Sequence, residues 1–171
     1  ANETAKTALC EKVEALDFST LKNFNAWEEI TKTILAAQEE WKTIGFASRK
    51  QNNALFARFR AVCDKFFTEK AEYYRTVKDE LAANLAKKIA LCEKAEALKD
   101  STDWRKTADT LVALQKEWKT VGTVAKKHSD AVWKRFQTAC DSFFERSKKN
   151  LNENRSEEQA NLQAKRDIIA E

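Results

Sequence analysis

Eight basic residues fall in two matched sets: Lys42, Arg49, Lys50 and Arg58 return as Lys119, Lys126, Lys127 and Arg135, each 77 positions later. Each set flanks a short turn-like stretch that follows a glycine, Gly45 or Gly122, and precedes a new helical pattern. Cationic side chains gathered at a helix start favour anions, because the free N–H groups of the first helical turn add their own partial positive charge. The charge is placed unevenly. Residues 41–65 carry a net +5 and residues 118–142 a net +3, so the remainder of this +4 chain is net −4. A solvated helix end kept basic for solubility would show the same pattern, and charge runs are usually of that kind.

Other residue types offer less. The four cysteines form two equivalent pairs, Cys10 with Cys92 and Cys63 with Cys140, at positions that suit small buried hydrophobes better than disulfides. Without a C-x-x-C spacing, and with one histidine, they suggest no zinc site. That histidine, His128, has Gln51 as its counterpart, so a catalytic role would exist in one copy only. Carboxylates are plentiful, but none lies in an apolar context that would raise its pKa for acid–base work. Phosphate-loop, dinucleotide and nucleophile-elbow motifs are absent. No catalytic residue, metal ligand or cofactor is therefore expected. The five tryptophans could be base-stacking platforms. Four follow a helical stripe, and Trp133 takes the place of Phe56, so core packing is expected for all five.

The elements that position these residues are helices. The chain has no proline and two glycines in 171 residues, so little interrupts a helical run. Trp27, Ile30, Ile34, Ala37, Trp41 and Ile44 alternate three- and four-residue spacings, and Trp104, Thr107, Leu111, Leu114, Trp118 and Val121 repeat them. Gly45 and Gly122 stand one step beyond the last apolar residue, the usual place of a left-handed helix end. Asn25 with Glu28, and Ser48 with Gln51, read as capping boxes, while Asp100 and Ser101 offer caps in the second copy. A third stripe, from Leu55 through Phe66, Leu81 and Cys92 to Leu98, meets no breaker. The spacing predicts helices over 2–16, 25–44, 48–98, 102–121 and 126–168.

The expected fold is all-α: two tandem three-helix bundles joined by one long continuous helix, as in a spectrin-like rod. The repeats are assigned to 1–80 and 81–157, and 158–171 to the opening helix of a truncated third. Ala1-Asn2 through Leu9-Cys10 match Ala83-Asn84 through Leu91-Cys92, and Asn161-Leu162, Lys165 and Ile168 match Asn84-Leu85, Lys88 and Leu91. A piece of a longer array is expected. The connection between the first two helices varies, Asp17–Ala26 in one copy against Lys99–Asp103 in the other, as a surface turn tolerates.

The run Trp118-Lys119-Thr120-Val121-Gly122, the basic turn, Trp133-Lys134-Arg135-Phe136 and Cys140-Asp141-Ser142-Phe143-Phe144 resembles the bacterial repeat family known as domain of unknown function 349. The first copy carries Trp41-Lys42-Thr43-Ile44-Gly45 and Cys63-Asp64-Lys65-Phe66-Phe67. The resemblance implies an all-helical tandem array in a bacterial cytoplasmic protein and brings no activity, cofactor or catalytic residue. One departure follows the glycine, where the family often has proline and this chain has Phe46 and Thr123.

These features lead to a non-enzymatic scaffold or spacer that docks other macromolecules, a protein partner foremost. The alternative is a module for RNA or ribosomal surfaces that uses the two basic turns. Apolar runs fall short of the roughly 18–20 residues of a membrane span and no signal-type segment opens the chain, so a cytoplasmic setting is expected. The spacing implies no particular oligomeric state.

Overall fold

The computed structural model describes residues 1–170. Among them are five α-helices and no strand: α1 (Asn2–Glu14), α2 (Phe24–Thr43), α3 (Arg49–Leu98), α4 (Trp104–Thr120) and α5 (Lys126–Ala170). Every boundary lies within two residues of the periodicity. With no proline to remove a donor, α3 continues for 50 residues and α5 for 45. The assignment of 158–171 to an opening helix covers the end of α5, and its last residue, Glu171, lies outside the described residues.

The helix ends differ from expectation at the start of α2, at the two glycines and at the start of α4, where neither Asp100 nor Ser101 is the cap. At the start of α2 the cap is Asn23, whose side chain accepts from the Ala26 amide at 2.8 Å, and not Asn25. Starting there puts Phe24 in the first turn, where its ring meets Tyr74 edge-on at 5.5 Å. Neither glycine is left-handed, for no described residue has a positive φ. What excludes a side chain is crowding. A Cβ at Gly45 would fall 2.6 Å from Asn2 Nδ2, and one at Gly122 2.7 Å from Asn84 Nδ2. Ser48 does cap α3, its hydroxyl accepting from the Gln51 amide at 3.3 Å. At α4, Asp103 occupies the cap position without a side-chain cap bond, and Ser101 Oγ accepts from the Asp103 amide and the Thr107 hydroxyl.

The chain divides into two compact units, Ala1–Val77 and the residues from Lys78 onward. The core of the first joins Leu9, Cys10 and Val13 of α1, Ile34 and Ala37 of α2, and Phe59, Cys63 and Phe66 of α3. Phe18, in the longer α1–α2 connection, is buried edge-on to Phe66 at 5.3 Å. The core of the second unit joins Leu91, Cys92 and Ala95 of α3, Leu111 and Leu114 of α4, and Phe136, Cys140 and Phe143 of α5. Val124, in the α4–α5 turn, is also buried. Where the second helix of each unit ends, an indole lies flat on a phenyl ring. Trp41 is 4.7 Å from Phe59 and Trp118 4.5 Å from Phe136, both at 17°. Such a pair contributes about 0.5–1.5 kcal/mol beyond the area it buries.

Candidate functional site at the basic turns

Residues 44–48 join α2 to α3, and residues 121–125 join α4 to α5. Four side chains, spaced every fourth residue on one helix, fix each turn against its unit. In the first unit, Asn2 Nδ2 donates to the Phe46 carbonyl at 3.0 Å, and Lys6 Nζ lies 5.0 Å from the centre of the Trp41 ring. Next along α1, Cys10 Sγ donates to the Leu55 carbonyl at 3.4 Å, and Glu14 takes two hydrogen bonds from Arg58. The second unit repeats the set. Asn84 Nδ2 donates to the Thr123 carbonyl at 2.8 Å, Lys88 Nζ lies 4.9 Å from the Trp118 ring, Cys92 Sγ donates to Val132, and Glu96 receives Arg135.

Sequence reasoning missed the lysines in this set. Lys6 is 4% exposed, and its ammonium also donates to Asn52 Oδ1 at 2.5 Å. A cation over an indole face is attracted by the ring quadrupole by about 0.5–2 kcal/mol, more as water is removed. The available signal was the correspondence of Lys6 with Lys88, each four residues after a matched asparagine and four before a matched cysteine.

All eight predicted basic residues are exposed, but they differ in what they meet. Arg58 and Arg135 each form a two-toothed ion pair, at 2.8 and 2.6 Å to Glu14 and at 3.0 and 2.7 Å to Glu96. Hydrogen bonds from the guanidinium hold Glu14 and Glu96 below the ordinary glutamate range, and the carboxylates raise Arg58 and Arg135 in return. Lys42 pairs with Glu39 at 3.0 Å, both largely in solvent. Its counterpart Lys119 has Lys116 in the place of that glutamate. Arg49, Lys50, Lys119, Lys126 and Lys127 form no ion pair among the described residues.

The two helix starts also differ. Ser48 offers α3 a hydroxyl cap, whereas Ala125, its counterpart, offers α5 only a carbonyl, which accepts from His128 and Ser129 at 2.9 and 3.1 Å. The first-turn donors of α5 therefore have one acceptor fewer to satisfy them.

One aromatic expectation is corrected here. Trp133 is 48% exposed and Phe56 46%, so neither is a core residue. The reason is angular. Val132, Phe136, Ala139, Cys140 and Phe143 form the buried stripe of α5, and Trp133 stands at its edge, about 100° from Val132 and about 60° from Phe136, on the side where Cys140 is the one buried residue among those described. Its ring lies 5.7 Å from Trp118 and lines an open groove with Gln115, Lys119, Gln137 and Asp141. Trp27 and Trp118 are buried, while Trp41 and Trp104 are half-buried.

Thiol and carboxylate chemistry is muted at both turns. Burial pushes Cys10, Cys63, Cys92 and Cys140 above the ordinary thiol value, which leaves little thiolate at neutral pH. Among the described residues no helix is long and apolar enough to cross a membrane.

Two units that repeat the same four contacts, at matched positions, define a tandem helical repeat protein. A family model described as Domain of Unknown Function (DUF349) matches residues 1–50, 54–127 and 131–171, and the chain belongs to that family. The breaks between matches fall in the opening turns of α3 and α5, at the two basic turns. No curated protein and no solved structure matches the chain.

Proposed function

We propose that this chain is a non-enzymatic tandem repeat that docks other macromolecules, with each unit a three-helix bundle and the second opening on the helix that closes the first. The docking surfaces are the two basic turns, and a protein with an acidic face is the preferred partner. The observation that carries this reading is the duplication of the turn. The same contacts set Arg49 and Lys50 at the start of α3, and Lys126 and Lys127 at the start of α5. A partner suited to one turn meets much of the same chemistry at the other. The non-enzymatic part draws support from the direction of the pKa shifts: the shifted carboxylates Glu14, Asp17, Glu28 and Glu96 are all lowered, the opposite of what a general acid at neutral pH requires.

A second reading has its own observation. The exposed indole of Trp133 beside Lys119, with Lys126 and Lys127 on the same helix, suits an RNA strand whose bases stack while its phosphates meet cations. Anisotropy titrations of labelled single-stranded and duplex RNA at low salt separate the two. Docking of protein predicts weak RNA binding, unchanged when Lys119, Lys126 and Lys127 are neutralised together. Tight binding with a log–log salt slope of roughly −3 to −5, reduced by those substitutions, would replace the preferred reading. Arg135 is left intact in this test because its loss would strand Glu96.

A further inference from the structure

The residues of the contact set that fixes each turn begin a third time, on a part of α5 whose described residues are all exposed. Asn161 and Lys165 stand 77 positions beyond Asn84 and Lys88, Leu162 and Ile168 repeat Leu85 and Leu91, and Ile169 replaces Cys92. Their environments are opposite. Leu91 and Cys92 are 2% and 0% exposed, Ile168 and Ile169 73% and 83%. Every residue from Leu151 to Ala170 is exposed, although the segment is helical throughout. Two large aliphatic side chains held side by side in water mark a surface that gains by being covered.

We propose that residues 158–170 are a docking face for a further helical hairpin of this same repeat kind. The occupant's first helix ends in tryptophan-lysine-x-(isoleucine or valine)-glycine, and its second helix starts after a short turn. Each side chain on the face specifies part of that partner. The amide of Asn161 calls for a backbone carbonyl just past a glycine, as Asn2 and Asn84 find in Phe46 and Thr123. The ammonium of Lys165 calls for an indole face, as Lys6 and Lys88 find in Trp41 and Trp118. Ile168 and Ile169 call for the apolar stripe at the start of the second helix, which Leu91 and Cys92 meet in Val132 and Phe136.

Other coverings fit less well. A coiled coil with a second copy would use positions 151, 155, 158, 162, 165 and 169, which are Leu, Arg, Glu, Leu, Lys and Ile, so every apolar layer would adjoin a charged one. A lipid surface is disfavoured by charge. Residues 151–170 hold four carboxylates and three cations, without the basic excess that an anionic membrane attracts.

The test extends the whole chain after residue 171 with a copy of its own residues 95–157, which restores the phase seen beyond Lys94. Amide hydrogen exchange is then followed at 161–169. Docking predicts protection rising by at least about a hundredfold over the unextended chain, as for amides moved from a fraying end into a packed unit. Lys165→Ala with Ile168→Asp should abolish the gain, and Gln163→Ala, on the side where Gln163 bonds Asp167, should leave it intact. Exchange in α2 and α4 reports in the same experiment that the two existing units remain folded. Unchanged exchange at 161–169 in the extended chain overturns the proposal. So does a dimer of the unextended chain that Ile168→Asp dissolves, since a second copy would then be the occupant. The proposal rests on the repeat reading and not on what the basic turns bind, so its failure would leave the RNA titrations of the Lys119, Lys126 and Lys127 variant unaffected.

Discussion

Replacing Gly122 with alanine should be less favourable in the native chain than in an Asn84→Ala background. In the native chain the new Cβ would fall 2.7 Å from Asn84 Nδ2 and 3.4 Å from Cγ, so the amide must swing away. It then gives up its 2.8 Å hydrogen bond to the Thr123 carbonyl. Such a bond contributes about 0.5–1.5 kcal/mol net. Against that loss, alanine restricts the unfolded chain and stabilises by about 0.4–1 kcal/mol wherever the native backbone accepts it. Gly122 is such a place because its φ is not positive. The single substitution should therefore be nearly neutral or destabilising by up to about 1 kcal/mol. In an Asn84→Ala background the obstruction and the bond are already gone, and Gly122→Ala should stabilise by the unfolded-state term alone. Urea unfolding followed by circular dichroism, with amide exchange in α4 to isolate the second unit, reads the cycle. A left-handed glycine would give another pattern, with Gly122→Ala costing about 1–2 kcal/mol in both backgrounds. That outcome, or strict additivity, refutes the crowding argument.

Two further expectations follow from the cores. Trp118→Ala removes a buried indole stacked on Phe136 and lying beneath Lys88, and should cost about 3–5 kcal/mol in the second unit; thermal stability left unchanged while partner association disappears would make the ring a contact residue. Cys63 and Cys140 should remain reduced and should react with a thiol reagent at least about a hundredfold more slowly in the folded chain than in denaturant, and rapid labelling of the native protein would show that the α3 and α5 stripes are misassigned.

The helices were legible because nothing competes with them. Without proline, and with two glycines placed at helix ends, the apolar stripes alone decide where each helix runs. Finer features depended on partners distant in sequence. Asn23 and Asn25 are equivalent caps by composition, and the choice between them goes with the packing of Phe24 on Tyr74, fifty residues along. A glycine after a helix has two common uses, a left-handed φ or a close approach, and only the position of Asn2 or Asn84 tells them apart. The local charge at the turns was overstated for the same reason, since Glu14 and Glu96, which meet Arg58 and Arg135, lie outside the basic stretches. Trp133 is the exception. Its place at the edge of the stripe, about 100° from Val132 but only about 20° from the buried Cys140, left its exposure undecided by spacing, and the comparison with Phe56 gave no help because Phe56 is exposed too.

The four-residue spacing of Asn2, Lys6, Cys10 and Glu14 makes α1 work as a ruler. Each step of four residues turns about 40° around the helix axis, so the set sweeps about 120° in all. That sweep is how one helix reaches the α2–α3 turn and the end of α2 with its first two members and the body of α3 with its last two. One extra residue between Lys6 and Cys10 would swing everything beyond it by about 100°, carrying Cys10 and Glu14 off Leu55 and Arg58 together. Between Asp17 and Ala26 no such graduations exist, and there the two units already differ by five residues without losing a single rung. A length change that is ruinous in one stretch is thus better tolerated a few residues later, and a foreign loop grafted into this protein belongs in the α1–α2 connection, between the buried Phe18 and the bonded Lys22 and Asn23.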